Sequence, residues 1–219
     1  ERAWEEQRQF VSDASHELKT PLTVILTSAE LMQTDPDPQH IRSILAMSRR
    51  MRELVESLLE LARVDNGAVR AAFEELDLTA LVADELLPFE PLFFEGGLTL
   101  ESQLEEGLRI SGSDRHLRQV LTILLDNALR YSPENATVRV ALTRQGSSAL
   151  LTVTNPGFLT KEQCRSIFRR FYRADPARTA GGSGLGLAIA QGIALDHGGK
   201  LWADSREGDV TLSLTLPLK

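Results

Sequence analysis

Thr34-Asp-Pro-Asp-Pro38 is the stretch on which the reading of the fold turns. Two prolines and two aspartates in five residues favour a tight turn, because proline fixes φ and aspartate hydrogen-bonds to its own backbone. On both sides the pattern is helical, from residue 4 to residue 66. Ahead of the turn a heptad stripe runs through Val11, Ala14, Leu18, Pro21, Ile25, Ser28 and Met32. Behind it a second stripe runs through Ile41, Ile44, Ser48, Met51, Val55, Leu58 and Ala62. Two helices joined this way form an antiparallel hairpin. Such a hairpin cannot bury its stripes alone, so the pattern predicts that two copies pair into a four-helix bundle. A two-helix stalk packed on the rest of the chain is the competing arrangement.

Asp65-Asn-Gly67 closes the hairpin, since Asn and Gly tolerate the left-handed conformation that ends a helix. The period then changes. Short alternating segments at 98–104, 137–143, 149–154, 200–205 and 210–216 read as strands. Helical stretches at 78–89, 114–131, 161–171 and 185–197 lie between them. Strands and helices do not alternate one for one, which argues against a doubly wound parallel sheet and for a sheet with helices on one face. The expected fold class is α+β. Residues 1–66 form the hairpin of a dimeric four-helix bundle, 67–72 a linker, and 73–219 an α/β sandwich of mixed sheet and helices.

Composition narrows the function. The chain has 219 residues, 42% of them hydrophobic and 25% charged, an ordinary globular balance. Its net charge is −7, and neither 1–68 (8 basic, 12 acidic) nor 69–219 (16 basic, 19 acidic) is basic, so no nucleic-acid partner is expected. A single cysteine, Cys164, excludes an internal disulfide or a thiolate metal cluster, fits a reducing compartment and reads as packing. No apolar run reaches the length of a membrane span.

Three segments can carry chemistry. His16 sits in Ser12-Asp-Ala-Ser-His-Glu-Leu-Lys-Thr-Pro-Leu22, at the heptad position farthest from the seam, and is therefore exposed. Glu17 adjoins it and can take the ring proton from Nδ1, leaving Nε2 as a nucleophile. Thr20 lies one turn on, on the same face, and Pro21 predicts a bend. The helical segment 114–131 presents Asn127, whose oxygen suits a hard cation such as Mg²⁺. It also presents Arg130, which can meet a phosphate, and Tyr131, which can stack on a base or fill the core. Gly181-Gly-Ser-Gly-Leu-Gly-Leu187 runs into a helix start, where glycines let the backbone approach an anion. It lacks the Gly-Lys-Ser/Thr of a P-loop and follows a loop, not a strand. Phe168, Phe171 and Tyr172, with Arg169, Arg170 and Arg173, lie just upstream. His40, His116 and His197 are dispersed and show no metal spacing.

Together these segments resemble a bacterial sensor histidine kinase over nearly the whole chain. Ser15-His-Glu-Leu-Lys-Thr-Pro-Leu22 is similar to that family's H-box, and Gln119-Val-Leu-Thr-Ile-Leu-Leu-Asp-Asn-Ala-Leu-Arg-Tyr-Ser-Pro133 to its N-box. Ile167-Phe-Arg-Arg-Phe-Tyr-Arg173 is similar to the F-box and Gly182-Ser-Gly-Leu-Gly-Leu187 to the second glycine box. The resemblance implies that His16 takes the γ-phosphoryl of ATP, with Glu17 as base and Thr20 placing a water when the partner is dephosphorylated. It implies Mg²⁺ on Asn127, phosphate contacts from Arg130 and Arg173, and Tyr131 along the nucleotide. Asn155, Gly157, Gly182, Gly184, Leu185, Gly186 and Leu187 would surround the nucleotide, under a lid at about 158–183. The implied partners are a second copy of the chain and a response regulator whose aspartate receives the phosphoryl group. The implied location is the cytoplasmic portion of an inner- or plasma-membrane sensor whose spans lie outside this chain.

The chain also departs from the family pattern. Asn155 stands where an aspartate usually accepts from the adenine amine, which predicts weaker discrimination against guanine. Leu159 replaces a glycine and predicts a stiffer hinge, and Ile123 stands where a further asparagine is common. A phosphatase-dominant sensor, or a dimeric scaffold with a degraded nucleotide site, is the alternative these changes leave open. A chaperone or topoisomerase relative would have no use for the exposed His16–Glu17 pair.

Overall fold

The structure is a computed structural model that describes residues 2–65, 73–174 and 183–219. It divides into two compact units, Glu1–Glu60 and Leu61–Lys219. The expected linker therefore lies outside the described residues, and so does Gly182.

Helix α1 (Arg2–Thr34) and helix α2 (Pro38–Asp65) meet at the turn read from the sequence. Asp37 caps the start of α2 by accepting from the Gln39 N–H at 2.8 Å. α1 runs through Pro21 as one helix, and Pro21 is buried. Burial on α1 follows the expected stripe from Ala14 to Met32, including Ser28. On α2, Leu54 is buried although it lies outside the expected stripe, Ile44, Met51 and Leu58 of the stripe are half-buried, and Val55 and Ile41 are exposed in the single chain.

The second unit is built on a five-stranded sheet. Its strands are β2 (Thr99–Leu104), β4 (Thr137–Gln145), β5 (Ser148–Pro156), β6 (Lys200–Arg206) and β7 (Asp209–Pro217), in the order β2-β4-β5-β7-β6. β2 and β4 are parallel and the other pairs antiparallel, so the sheet is mixed, as expected. A separate antiparallel pair, β1 (Glu74–Asp77) with β3 (Arg109–Gly112), was not legible in the sequence. Both strands are four residues long, too short for alternation to stand out.

Val138, Val140 and Leu142 of β4, Ala149, Leu151 and Val153 of β5, and Leu212, Leu214 and Leu216 of β7 are buried. Helix α5 (Asp114–Tyr131) adds Leu117, Val120, Leu121, Leu124, Leu125 and Ala128 to this core, and helix α7 (Gly186–Asp196) adds Ile189, Ala190, Ile193 and Ala194. Two expected helices are shorter than the sequence suggested. The run 78–89 splits into α3 (Leu78–Leu86) and α4 (Phe89–Glu95), because Pro88 has no N–H to continue the ladder. The run 161–171 stops as α6 (Lys161–Ser166), after which Arg169 and Tyr172 turn back onto Ser166 and Arg169. The Cys164 thiol is half-buried, and desolvation followed by the Asp204 charge pushes its pKa up. A raised thiol is a poor nucleophile, in keeping with a packing role.

Candidate functional site

The phosphoacceptor candidate lies in the first unit. His16 is exposed on α1 and, with Lys19, Thr20, Thr23 and Val24, lines a shallow cleft of about 330 Å³. Residues three and four apart share a helix face, which explains how Lys19 and Thr20 join it. The Thr20 hydroxyl donates to the His16 carbonyl at 3.2 Å, and that of Thr23 to the Lys19 carbonyl at 2.9 Å. Among the described residues the Thr20 hydroxyl oxygen accepts no hydrogen bond. Lys19 brings a cation to the cleft that can offset an incoming phosphoryl charge. The sequence reading missed it, although its spacing from His16 was visible. Glu17 does not line this cleft. Its carboxylate pairs instead with Arg50 of α2 at 3.5 Å, a contact no local pattern could reveal.

The anion-binding candidate lies in the second unit, where α5 packs on α7. The Asn127 amide nitrogen donates to the Ile123 carbonyl one turn back at 2.7 Å, which leaves Oδ1 as the free oxygen. A hard oxygen donor of this kind fits Mg²⁺. Among the described residues no group of three or more His, Cys, Asp or Glu could hold a metal ion. A cation here would therefore share its coordination with substrate phosphates and water, as Mg²⁺ commonly does. Ile123 faces the start of α7: a Cβ on Gly186 would come 3.3 Å from its Cγ2. The expected second asparagine is thus replaced by an apolar contact that seats α7 beside the turn carrying Asn127. Leu185 is fully buried at the helix start, where its own N–H donates to the Ser183 hydroxyl at 3.3 Å, and among the described residues no side chain caps α7, so the N–H groups of its first turn can face an anion. Leu187 is half-buried in the first turn.

Gly184 has φ of 68°, a conformation that favours glycine. Its carbonyl accepts from the Phe171 N–H at 2.9 Å, and an added Cβ would lie 2.8 Å from the Phe171 carbonyl carbon. This contact joins the aromatic segment to the glycine segment across the interval 174–183. Phe171 itself has φ of 60°, a strained value for a bulky residue, and Phe168 is buried beside it in sequence. Gly184→Ala is expected to cost about 2 kcal/mol or more, from left-handed strain plus the backbone clash. Urea unfolding checks this, and an unchanged midpoint would contradict it.

Arg130 and Tyr131 are exposed at the end of α5. Desolvation pushes the Asp126 carboxyl up, and the Arg130 charge partly opposes it. Arg173 is half-buried beyond the aromatic segment.

Asn155 ends the buried row of β5 opposite Val210, 8% exposed. Its amide nitrogen donates to the Pro156 carbonyl at 3.1 Å, which turns Oδ1 into the available acceptor. A flip would set two oxygens against each other. The amide keeps its second N–H beside Oδ1, so Asn155 presents both an acceptor and a donor. Gly157 leaves room beside it, since a Cβ there would meet Val210 at 3.3 Å. Leu159 is not among the residues with positive φ, and its N–H is held by the Ser205 hydroxyl at 3.1 Å.

Comparison with known proteins agrees with both halves of this description. Residues 6–67 match the family described as His Kinase A (phospho-acceptor) domain. Residues 112–219 match the family described as Histidine kinase-, DNA gyrase B-, and HSP90-like ATPase. The chain is 34% identical over 215 residues to the sensor protein DltS of Streptococcus agalactiae, covering 97% of this chain and 54% of that protein. It is 36% identical over 217 residues to the sensor histidine kinase YkoH of Bacillus subtilis, covering 95% of this chain and 47% of that one. It thus spans about half the length of the curated relatives it matches. Among solved structures, the Acinetobacter baumannii histidine kinase AdeS superposes with a TM-score of 0.76 at 25% identity, covering 93% of this chain and 98% of that one. The histidine kinase ThkA, solved in complex with response regulator protein TrrA, shares the fold with a TM-score of 0.77 at 22% identity, covering 99% of this chain and 66% of that one.

Proposed function

Since the chain belongs to the sensor histidine kinase family, we propose that it is an ATP-dependent kinase core that phosphorylates its own His16 and passes the phosphoryl group to an aspartate of a response regulator. The observation that carries this reading is the uncapped start of α7 seated against the α5 turn that bears Asn127. In this proposal 1–66 is the dimerising phosphoacceptor hairpin, 67–72 the linker and 73–219 the ATP-binding domain.

The residues take these roles. Amides at Gly184, Gly186 and Leu187 serve the phosphate chain, buried Leu185 anchors the segment, and Gly182, outside the described residues, is assigned to the same role by its place in the glycine segment. Arg130 and Arg173 add positive charge, Tyr131 lies along the nucleotide, and Asn155 with Gly157 receives the base. Bound Mg²⁺, held through Asn127 Oδ1, would neutralise charge on the phosphates. Phosphoryl transfer needs such positioning and charge more than covalent help from the protein. Neutral His16 then attacks through Nε2 while Glu17 takes the Nδ1 proton. Thr20, its hydroxyl tied to the helix, holds a water when phosphate is removed from the partner regulator.

Val11, Leu22, Leu26, Ile41, Leu45 and Leu59 are exposed on the hairpin, which supports pairing with a second copy. Among the described residues no helix is long and apolar enough to cross a membrane.

Calorimetric titration with ADP tests the nucleotide site. Asn127→Ala is expected to weaken binding by about tenfold or more when Mg²⁺ is present, and much less when it is chelated. Equal losses with and without the metal would remove Asn127 from the metal role.

A further inference from the structure

Resting on the proposed assignment of His16 as acceptor and Glu17 as base, we infer that Arg50 is a positioning residue that holds Glu17 away from His16 and so restrains autophosphorylation. Three observations combine to support it. His16 and Glu17 are adjacent on α1, so their side chains leave the helix about 100° apart. His16 projects into the cleft lined by Lys19, Thr20, Thr23 and Val24, and Glu17 is outside that lining. The Glu17 carboxylate is turned the other way, onto the Arg50 guanidinium of α2 at 3.5 Å.

The transfer step makes the cost of this arrangement concrete. The Nε2 lone pair of His16 forms a bond to the γ-phosphorus, the bond to the β–γ bridging oxygen breaks, and its electron pair leaves with ADP. The ring would be left doubly substituted and cationic unless Nδ1 gives up its proton. Glu17 is the neighbouring acceptor for that proton, but it must first swing off Arg50. While the pair is intact, the base faces α2 and the nucleophile faces the cleft.

The position of Arg50 makes it a reporter of hairpin geometry. It is half-buried on α2, four residues ahead of buried Leu54, and so on the side of α2 that is shielded from solvent. A small rotation or slide of α2 against α1 lengthens or shortens the contact with Glu17. The base is then released or recaptured without any change at His16 itself. An exposed arginine elsewhere on the hairpin, such as Arg42, has no such lever.

The strength of the restraint follows from its exposure. The two side chains are 38% and 36% exposed, and partly solvated ion pairs are weak. Removing it should therefore raise the rate roughly two- to fivefold, not by orders of magnitude. Glutamine at 50 preserves helix propensity and most of the volume, so the hairpin should fold.

The test is the rate of autophosphorylation under saturating Mg-ATP for the whole chain and for Arg50→Gln, Arg50→Lys, Glu17→Gln and the double variant Glu17→Gln/Arg50→Gln. Circular dichroism and sizing confirm that each hairpin remains folded and associated as in the unsubstituted chain. The expected result is a kcat raised two- to fivefold in Arg50→Gln with KM for ATP unchanged, and a smaller rise in Arg50→Lys, which keeps the charge but loses the fork. In the Glu17→Gln background, Arg50→Gln should give no gain. A fall in kcat, an unchanged kcat, or a gain that persists without the Glu17 carboxylate would each overturn the inference. A chain that never labels on His16 overturns the acceptor assignment, whereas a chain that labels normally but ignores Arg50 overturns only the restraint.

Discussion

Incubated with γ-labelled ATP and Mg²⁺, the chain is expected to acquire an acid-labile label that His16→Gln abolishes, a loss of at least about a thousandfold in rate. The size follows from the chemistry. Glutamine offers no ring nitrogen lone pair to attack phosphorus, and a nucleophile that is missing cannot be compensated by positioning. The other histidines are poor substitutes. His197 is 6% exposed with both ring nitrogens hydrogen-bonded, and the His116 Nδ1 is engaged with the Ser113 hydroxyl at 2.8 Å. His40 lies in the first turn of α2, with no carboxylate adjacent in sequence and no threonine four residues on. Acid lability separates a phosphoramidate from a phosphoserine or phosphothreonine. Label that survives acid, or equal label in the variant, would remove His16 from the mechanism.

His197→Ala is expected to destabilise the second unit by roughly 3 kcal/mol, through loss of a buried ring and its hydrogen bonds. His197 follows α7. Its Nε2 accepts from the Ser113 N–H at 3.0 Å and its Nδ1 donates to the Ile193 carbonyl at 2.8 Å. Phe73 stacks on the ring with centroids 4.5 Å apart, and Gly112 is required beside it because a Cβ would lie 2.8 Å from the ring. The ring joins α7, β3, the start of α5 and the entry of the chain into the domain. Truncation leaves a buried N–H without an acceptor, and the Ile193 carbonyl loses the side-chain donor.

The same bonds make stability depend on pH. Nε2 cannot accept a hydrogen bond once protonated, and desolvation lowers the His197 pKa from its ordinary 6.5. The Ile193 carbonyl and Asp196 oppose this drop, and His116 adds to it. Between the folded value and 6.5 the unfolded chain binds more protons than the folded one, so stability falls as pH falls through that window. Above it both states are neutral at this residue and the contribution is flat. Urea midpoints at several pH values should therefore decline below pH 6.5 for the unsubstituted chain and more gently for His197→Ala. Parallel declines would assign the effect to other groups.

The sequence by itself determined the hairpin, the mixed sheet and most of the candidate site. The turn at 34–38 was legible because proline and aspartate act locally, and α5 was legible at both ends because its apolar face repeats over five turns. His16, Asn127 and the glycine segment stood out because their chemistry depends on neighbours in sequence. What only the tertiary structure decided involves partners far apart in the chain. The burial of Leu54, the split at Pro88, the pairing of β1 with β3 and the contact of Phe171 with Gly184 are of this kind. Arg50 on Glu17 is the functional example, 33 residues apart and joined only when α2 folds back along α1. His197 is the structural one. In the sequence it is a histidine without a motif, and its role comes from a backbone N–H that is 84 residues away until the sheet and helices close around it.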